Sequence, residues 1–201
     1  MSASVFYKSY TEPALDIKEV LRYAACKRDG DEISALIAEC WEQMRPLLSY
    51  RVCYSYFPVS FSGDALDLGF AQVKSADLAK NLADSAHVLI FAATVGAGAD
   101  RLISRYSRTK PSRSHIMQAI GAERAEALCD AFCADMAAEA KKLGFGMRPR
   151  FSPGYGDLSL EVQKDIFRAL DVTRGIGVTL NESLLMFPTK SVTALAGLYK
   201  I

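Results

Sequence analysis

Residues His115 to Phe145, HIMQAIGAERAEALCDAFCADMAAEAKKLGF, are rich in alanine, contain no proline and reach a glycine, Gly144, near their end. Alanine has the highest helix propensity and a glycine commonly ends a helix, so the stretch reads as one long helix closed by Gly144. Cys129 and Cys133 stand four residues apart and share one of its faces. A helix of this kind needs a layer to pack on, and the rest of the chain supplies helices and strands in mixed order. That order predicts an α+β fold, a largely antiparallel, bent β-sheet flanked by helices.

The other elements follow from periodicity. After Asp31, the apolar residues Ile33, Leu36, Ile37, Cys40, Trp41 and Met44 recur at helical steps, which predicts a helix with one buried face that ends near Pro46. RVCYSYFPVSF is aromatic and β-branched and alternates partly with polar residues, as a half-buried strand does. Ser75 can cap a helix ADLAKNLADSA, and HVLIFAAT reads as a buried strand. GADRLISRYSR reads as a helix, and Ser159 can cap another, LEVQKDIFRALD. GVTLNESLLMF and SVTALAGLY read as strands joined by PTK, a link short enough for a hairpin. No internal repeat or low-complexity segment interrupts them.

Composition excludes some partners. The chain has 201 residues with 24 Lys and Arg against 23 Asp and Glu, a net charge of +1, which predicts no nucleic-acid partner. No apolar run is long enough to span a bilayer and the start has no basic-then-apolar signal pattern, so the expectation is a cytoplasmic protein with no membrane partner. The cysteines, Cys26, Cys40, Cys53, Cys129 and Cys133, are odd in number and scattered. They predict reduced core thiols, with no metal site.

Three features can carry chemistry. HVLIFAATVGAGADRLISR places a glycine loop, Gly96 and Gly98, between a strand and a helix, where backbone N–H groups can meet a phosphate or simply make a tight turn. It lacks the full dinucleotide fingerprint. His87 and His115 precede a strand and open a helix, and neither has a nucleophile motif beside it. The third feature is RFSPGYG, where an arginine, a forced turn and an aromatic ring fall within six positions, Arg150 to Tyr155. It reads as a plain loop or as a ligand cradle.

RFSPGYG, followed in order by TLNES, MFP and SV, resembles the activation domain of cobalamin-dependent methionine synthase, whose motif is an arginine, three residues, then glycine and tyrosine. IKEVLRYAACKRDG, FAATVGAGADRLISR and AIGAERAEALCDAFCADMA extend the likeness, more loosely, to the short free-standing members of that family. The resemblance implies one activation-like domain over residues 1–201. It also implies that the domain binds S-adenosylmethionine and offers its methyl group to a cobalamin that has been oxidised to cob(II)alamin. A flavodoxin-like or other electron donor supplies the reducing electron.

For the site, the resemblance implies that Arg150 clamps the ligand carboxylate in a charge-assisted pair. Pro153 and Gly154 hold the loop, Ser152 contributes through its backbone, and Tyr155 lays its ring against the ligand, by cation–π contact if the sulfonium is near. An acidic residue on the long helix contributes as well, with Asp130 the better match and Glu126 the alternative. Glu182, within TLNES, sits in the family hairpin, where a structural salt bridge or a solvated strand position is as good a reading as a ligand contact. The N-terminal acidic contact of the multidomain enzymes is not recognisable, and the chain reaches Ile201 before their later aromatic residues. No D-x-H-x-x-G motif is present, so a partner must carry the cobalamin. That partner is the cobalamin-binding module of a split methionine synthase or another corrinoid protein; a nucleotide-binding protein using Gly96 and Gly98 is the reading from a different class.

Overall fold

The long buried strands set the architecture. In the computed structural model, which describes residues 4–26, 30–62 and 65–201, β2 (Tyr50–Pro58), β6 (Ser85–Thr94) and β10 (Ser191–Lys200) form the middle of an antiparallel sheet. β1 (Phe6–Tyr10) and β7 (Phe145–Met147) complete it in the order β1-β2-β6-β10-β7. β3 (Ser60–Ser62), β4 (Ala65–Asp67) and β5 (Gln72–Val73) make a small second sheet, and β8 (Thr179–Leu180) and β9 (Met186–Phe187) a ribbon. The helices are α1 (Ile17–Tyr23), α2 (Asp31–Met44), α3 (Ala76–Asn81), α4 (Gly98–Tyr106), α5 (Pro111–Lys142), α6 (Val162–Leu170) and α7 (Val172–Ile176). The fold is α+β with a curled antiparallel sheet, as its sequence pattern predicts. Lys27, Arg28 and Asp29 of the IKEVLRYAACKRDG segment lie outside the described residues.

Both sheet faces are covered. Helix α5 lays Leu128, Cys129, Phe132 and Met136 on one face, against Val52, Tyr54, Leu89 and Phe91. Helices α3, α6 and α7 cover the other through Leu78, Ile166, Leu170 and Ile176, against Cys53, Val88, Ile90 and Leu195. Strand β2 is therefore buried on both sides and not half-buried as its partial alternation suggests; only Tyr56 and Pro58 in it are exposed. A third cluster joins α1, α2 and α4 to the first half of α5, and there Ile37, Cys40 and Met44 form the predicted inner face of α2. Each large apolar side chain so buried contributes about 1.5–3 kcal/mol.

Several boundaries and one connection differ from the sequence expectation: RVCYSYFPVSF divides at Val59 between β2 and β3, which belong to different sheets, and α5 begins at Pro111, ahead of His115. Ser75 Oγ caps α3 by accepting the Leu78 N–H at 3.0 Å, but α3 ends at Asn81 and β6 begins at Ser85. Ser159 Oγ accepts from Glu161 N–H at 3.2 Å within a turn, and α6 starts only at Val162. GVTLNESLLMF is not one strand. Asn181 Oδ1 accepts the Leu185 N–H at 2.8 Å and folds the segment into the β8–β9 ribbon, with Glu182 exposed in its turn. PTK then leads out of the ribbon into β10, whose edges are already occupied by β6 and β7, so no hairpin joins the two expected strands.

Candidate ligand site

Phe151 pairs with Leu195 of β10 through two backbone hydrogen bonds of 2.8 Å, which fixes where the chain leaves the sheet. The next residues turn back at once. Tyr155 N–H donates to Ser152 C=O at 3.1 Å, with Pro153 at the second position and Gly154 at the third with φ +90°. That is the residue pattern of a type II turn, whose third position needs the positive φ that glycine adopts freely. Pro153 is buried, while Tyr155 is 71% exposed.

The turn sets Arg150 against α5. Its Nη2 donates to Asp130 Oδ1 at 2.8 Å and forms an ion pair with Glu126 Oε2 at 2.7 Å. The two carboxylates are one helical turn apart and so converge on one point. Burial works against the Arg150 charge, but the Glu126 hydrogen bond and the nearby negative groups outweigh it, and its pKa lies above the usual arginine value. Glu126, Arg150, Phe151, Ser152 and Tyr155 line an open cleft of about 310 Å³. That is the lower end of the ~300–1,000 Å³ typical of ligand sites. A second hollow of about 330 Å³ shares Glu126 and is also lined by Asp16, Glu19, Tyr23 and Asp130.

The structure thus brings Arg150, Ser152, Pro153, Gly154, Tyr155, Glu126 and Asp130 into one neighbourhood. Sequence reasoning missed how the N-terminal segment joins them. Arg124, fully buried, donates from Nη1 to Pro13 C=O at 2.5 Å and from Nη2 to Ala14 C=O at 2.7 Å, and it pairs with Glu123. Glu123 Oε1 also accepts the Asp16 N–H at 3.2 Å. This clamp carries Asp16 and Glu19 to the rim of the second hollow. The signal available in sequence was the adjacent Glu123 and Arg124 in a helix otherwise rich in alanine.

Other candidates lie elsewhere. The Gly96–Gly98 loop is not a phosphate cradle: Gly96 and Gly98 are buried, and a Cβ added at Gly98 would meet the backbone carbonyl oxygen of Leu47. The Gly96 N–H is already given to Thr94 Oγ1 at 3.1 Å. Its glycines serve close packing, which overturns the nucleotide reading. His87 is exposed within β6, edge-on to Phe145, and His115 Nε2 lies 2.9 Å from Ala24 O. Among the described residues the cysteines are free thiols, no cluster could hold a metal, and no helix is long and apolar enough to cross a membrane.

The architecture is that of a known reactivation domain. The chain aligns with a structure described as "Crystal Structure of the MetH Reactivation Domain bound to AdoHcy" at a TM-score of 0.69 and 14% identity, covering 97% of this chain and 78% of that one. At that identity the likeness establishes the fold. Residues 72–199, more than half of the chain, match the family described as "Vitamin B12 dependent methionine synthase, activation domain", and the chain belongs to that family. No curated protein sequence matches it.

Proposed function

We propose that this chain binds S-adenosylmethionine in the cleft between α5 and the Arg150–Tyr155 turn and presents it to a cobalamin module carried by another protein. Residues 1–201 act as one activation-like domain and a non-autonomous subunit of a split methionine synthase, in the cytoplasm. The observation that carries this reading is the convergence of Arg150, Glu126 and Asp130 at an open cleft beside an exposed tyrosine.

The donor set fits the ligand group by group. Arg150 matches a carboxylate, Glu126 and Asp130 match an ammonium, and Tyr155 offers a ring face to a sulfonium or an adenine, a contact of ~0.5–2 kcal/mol for a cation. The AdoHcy of the structural neighbour shares the amino-acid and adenosine groups, which supports the assignment. When bound, S-adenosylmethionine supplies the methyl group for reductive remethylation of the partner's cob(II)alamin, with the electron coming from a flavodoxin-like or other donor. The work of this chain is positioning: it orients the sulfonium and leaves it open to a macromolecule.

The test mixes the protein with a cobalamin module from the same cell, a reductant and S-adenosylmethionine, and follows the cob(II)alamin spectrum. Faster conversion to methylcobalamin in the presence of the chain is expected. Equal conversion with and without it removes the reactivation role.

A further inference from the structure

Helix α3 has only six residues and lies outside the cleft, yet it is bonded to both ends of the ligand loop. At its N-terminus, Asp157 accepts the Ala76 N–H at 2.7 Å and the Asp77 N–H at 3.2 Å, and it also bonds the Ser75 hydroxyl. At its C-terminal end, Asn81 Nδ2 donates to Pro149 C=O at 3.1 Å, and Arg148 Nη2 donates to Ala83 C=O at 3.0 Å. The segment held between these points is Arg150 to Gly156.

The fit is close as well as bonded. Gly156 has φ +52°, and a Cβ there would run into the Asp77 carboxylate. Leu158, next to Asp157, is buried among the α3 and α6 side chains, and its C=O accepts the Gly154 N–H at 2.9 Å. The Ser75 hydroxyl and the Ala76 amide lower the Asp157 pKa, as expected of a carboxylate at free helix N–H groups.

We infer that α3 is a splint for the ligand loop and that Asp157 is a positioning residue for S-adenosylmethionine binding, acting through the Ser152–Tyr155 turn without touching the ligand. The inference rests on the proposed function. Without Asp157 the α3 amides lose their carboxylate cap, and the Gly154 and Tyr155 backbones are no longer held relative to Arg150. A ligand that needs both Arg150 and the turn then has to order the loop itself.

The experiment compares the wild type with Asp157→Ala, Asp157→Asn and Asn81→Ala by amide hydrogen exchange without ligand, and by calorimetry with S-adenosylmethionine. In Asp157→Ala, exchange at Gly154, Tyr155 and Leu158 should rise while α5 and β6 stay protected, and affinity should fall about fivefold, the equivalent of a lost cap. Asp157→Asn should fall between, since its amide oxygen still accepts. Asn81→Ala should loosen the same loop from its other end, and it serves if Asp157→Ala does not fold. Unchanged loop exchange, or unchanged affinity in a wild type that binds, overturns the splint. Failure of the wild type to bind is seen before any variant is compared and overturns the ligand assignment itself.

Discussion

Arg150 Nη2 lies 2.7 Å from Glu126 Oε2, so the cation expected to clamp a ligand carboxylate is already paired before any ligand arrives. A ligand bearing both a carboxylate and an ammonium can replace this pairing without leaving either partner alone. A purely anionic ligand cannot.

Arg150→Ala should therefore separate binding from stability. Losing a hydrogen bond to a charged group costs ~1.5–3 kcal/mol of binding. The pair is partly buried but open to solvent at the cleft, with the Arg150 and Glu126 side chains 25% and 39% exposed, so its contribution to folding stays near the ~0–1 kcal/mol of solvent-screened ion pairs. Calorimetry should show a marked loss of S-adenosylmethionine affinity while the thermal midpoint stays close to that of the wild type; equal affinity removes Arg150 from the site.

Gly98→Ala tests whether the glycine loop is there for packing. The added Cβ meets the Leu47 carbonyl, a backbone atom that cannot swing away. Overpacking of this kind costs ~1–3 kcal/mol. Chemical denaturation should show the loss, and neither protein should bind ATP or NAD in calorimetry.

Asp157 gives the folded state a pH dependence of known sign. Its folded pKa lies below 3.8, so the stability it confers is present above that value and lost as pH falls through the folded pKa. The stability difference between wild type and Asp157→Ala should be full at neutral pH and shrink in strong acid. A difference that is the same at both extremes would exclude the carboxylate as its source.

The thiols of the core run the other way: Cys53 and Cys129 are buried and Cys133 is partly buried. Burial pushes the Cys133 thiol up to about 11 and the Cys53 thiol up to about 12, and it raises Cys129 as well. Their stabilising effect is complete below 9.0 and is lost as pH rises through the folded values. A thiol reagent at neutral pH should label these three slowly in the native protein and at once in denaturant, because the thiolate is the reactive form. Fast native labelling at Cys129 would contradict its place in the core.

Much of this was legible in the sequence where the cause is local. The α5 helix, the apolar face of α2, the Ser75 cap and the Pro153–Gly154 turn each depend on neighbours within a few residues. The β8–β9 ribbon was not, because an apolar strand reads alike whether it pairs with β10 or folds on itself through Asn181. Nor were the links from Asp157 to α3 and from Arg124 to residues 13 and 14, which span 80 positions or more. The two-sided burial of β2 likewise depends on helices distant in sequence.

The placement of Glu126 and Asp130 on α5 makes the helix a ruler for the site. On the other side of the same turns, Leu128, Cys129 and Phe132 are locked into the sheet with no exposed surface. Each residue advances a helix by about 100°, so Glu126 and Asp130 can turn only together with Leu128, Cys129 and Phe132, and inserting one residue between Gly121 and Glu126 would either rotate all five off their partners or pull Ile116, Met117 and Ile120 out of their own cluster. Changes in length are thus confined to the loops, and the aim of the acidic pair is set by the packing behind it.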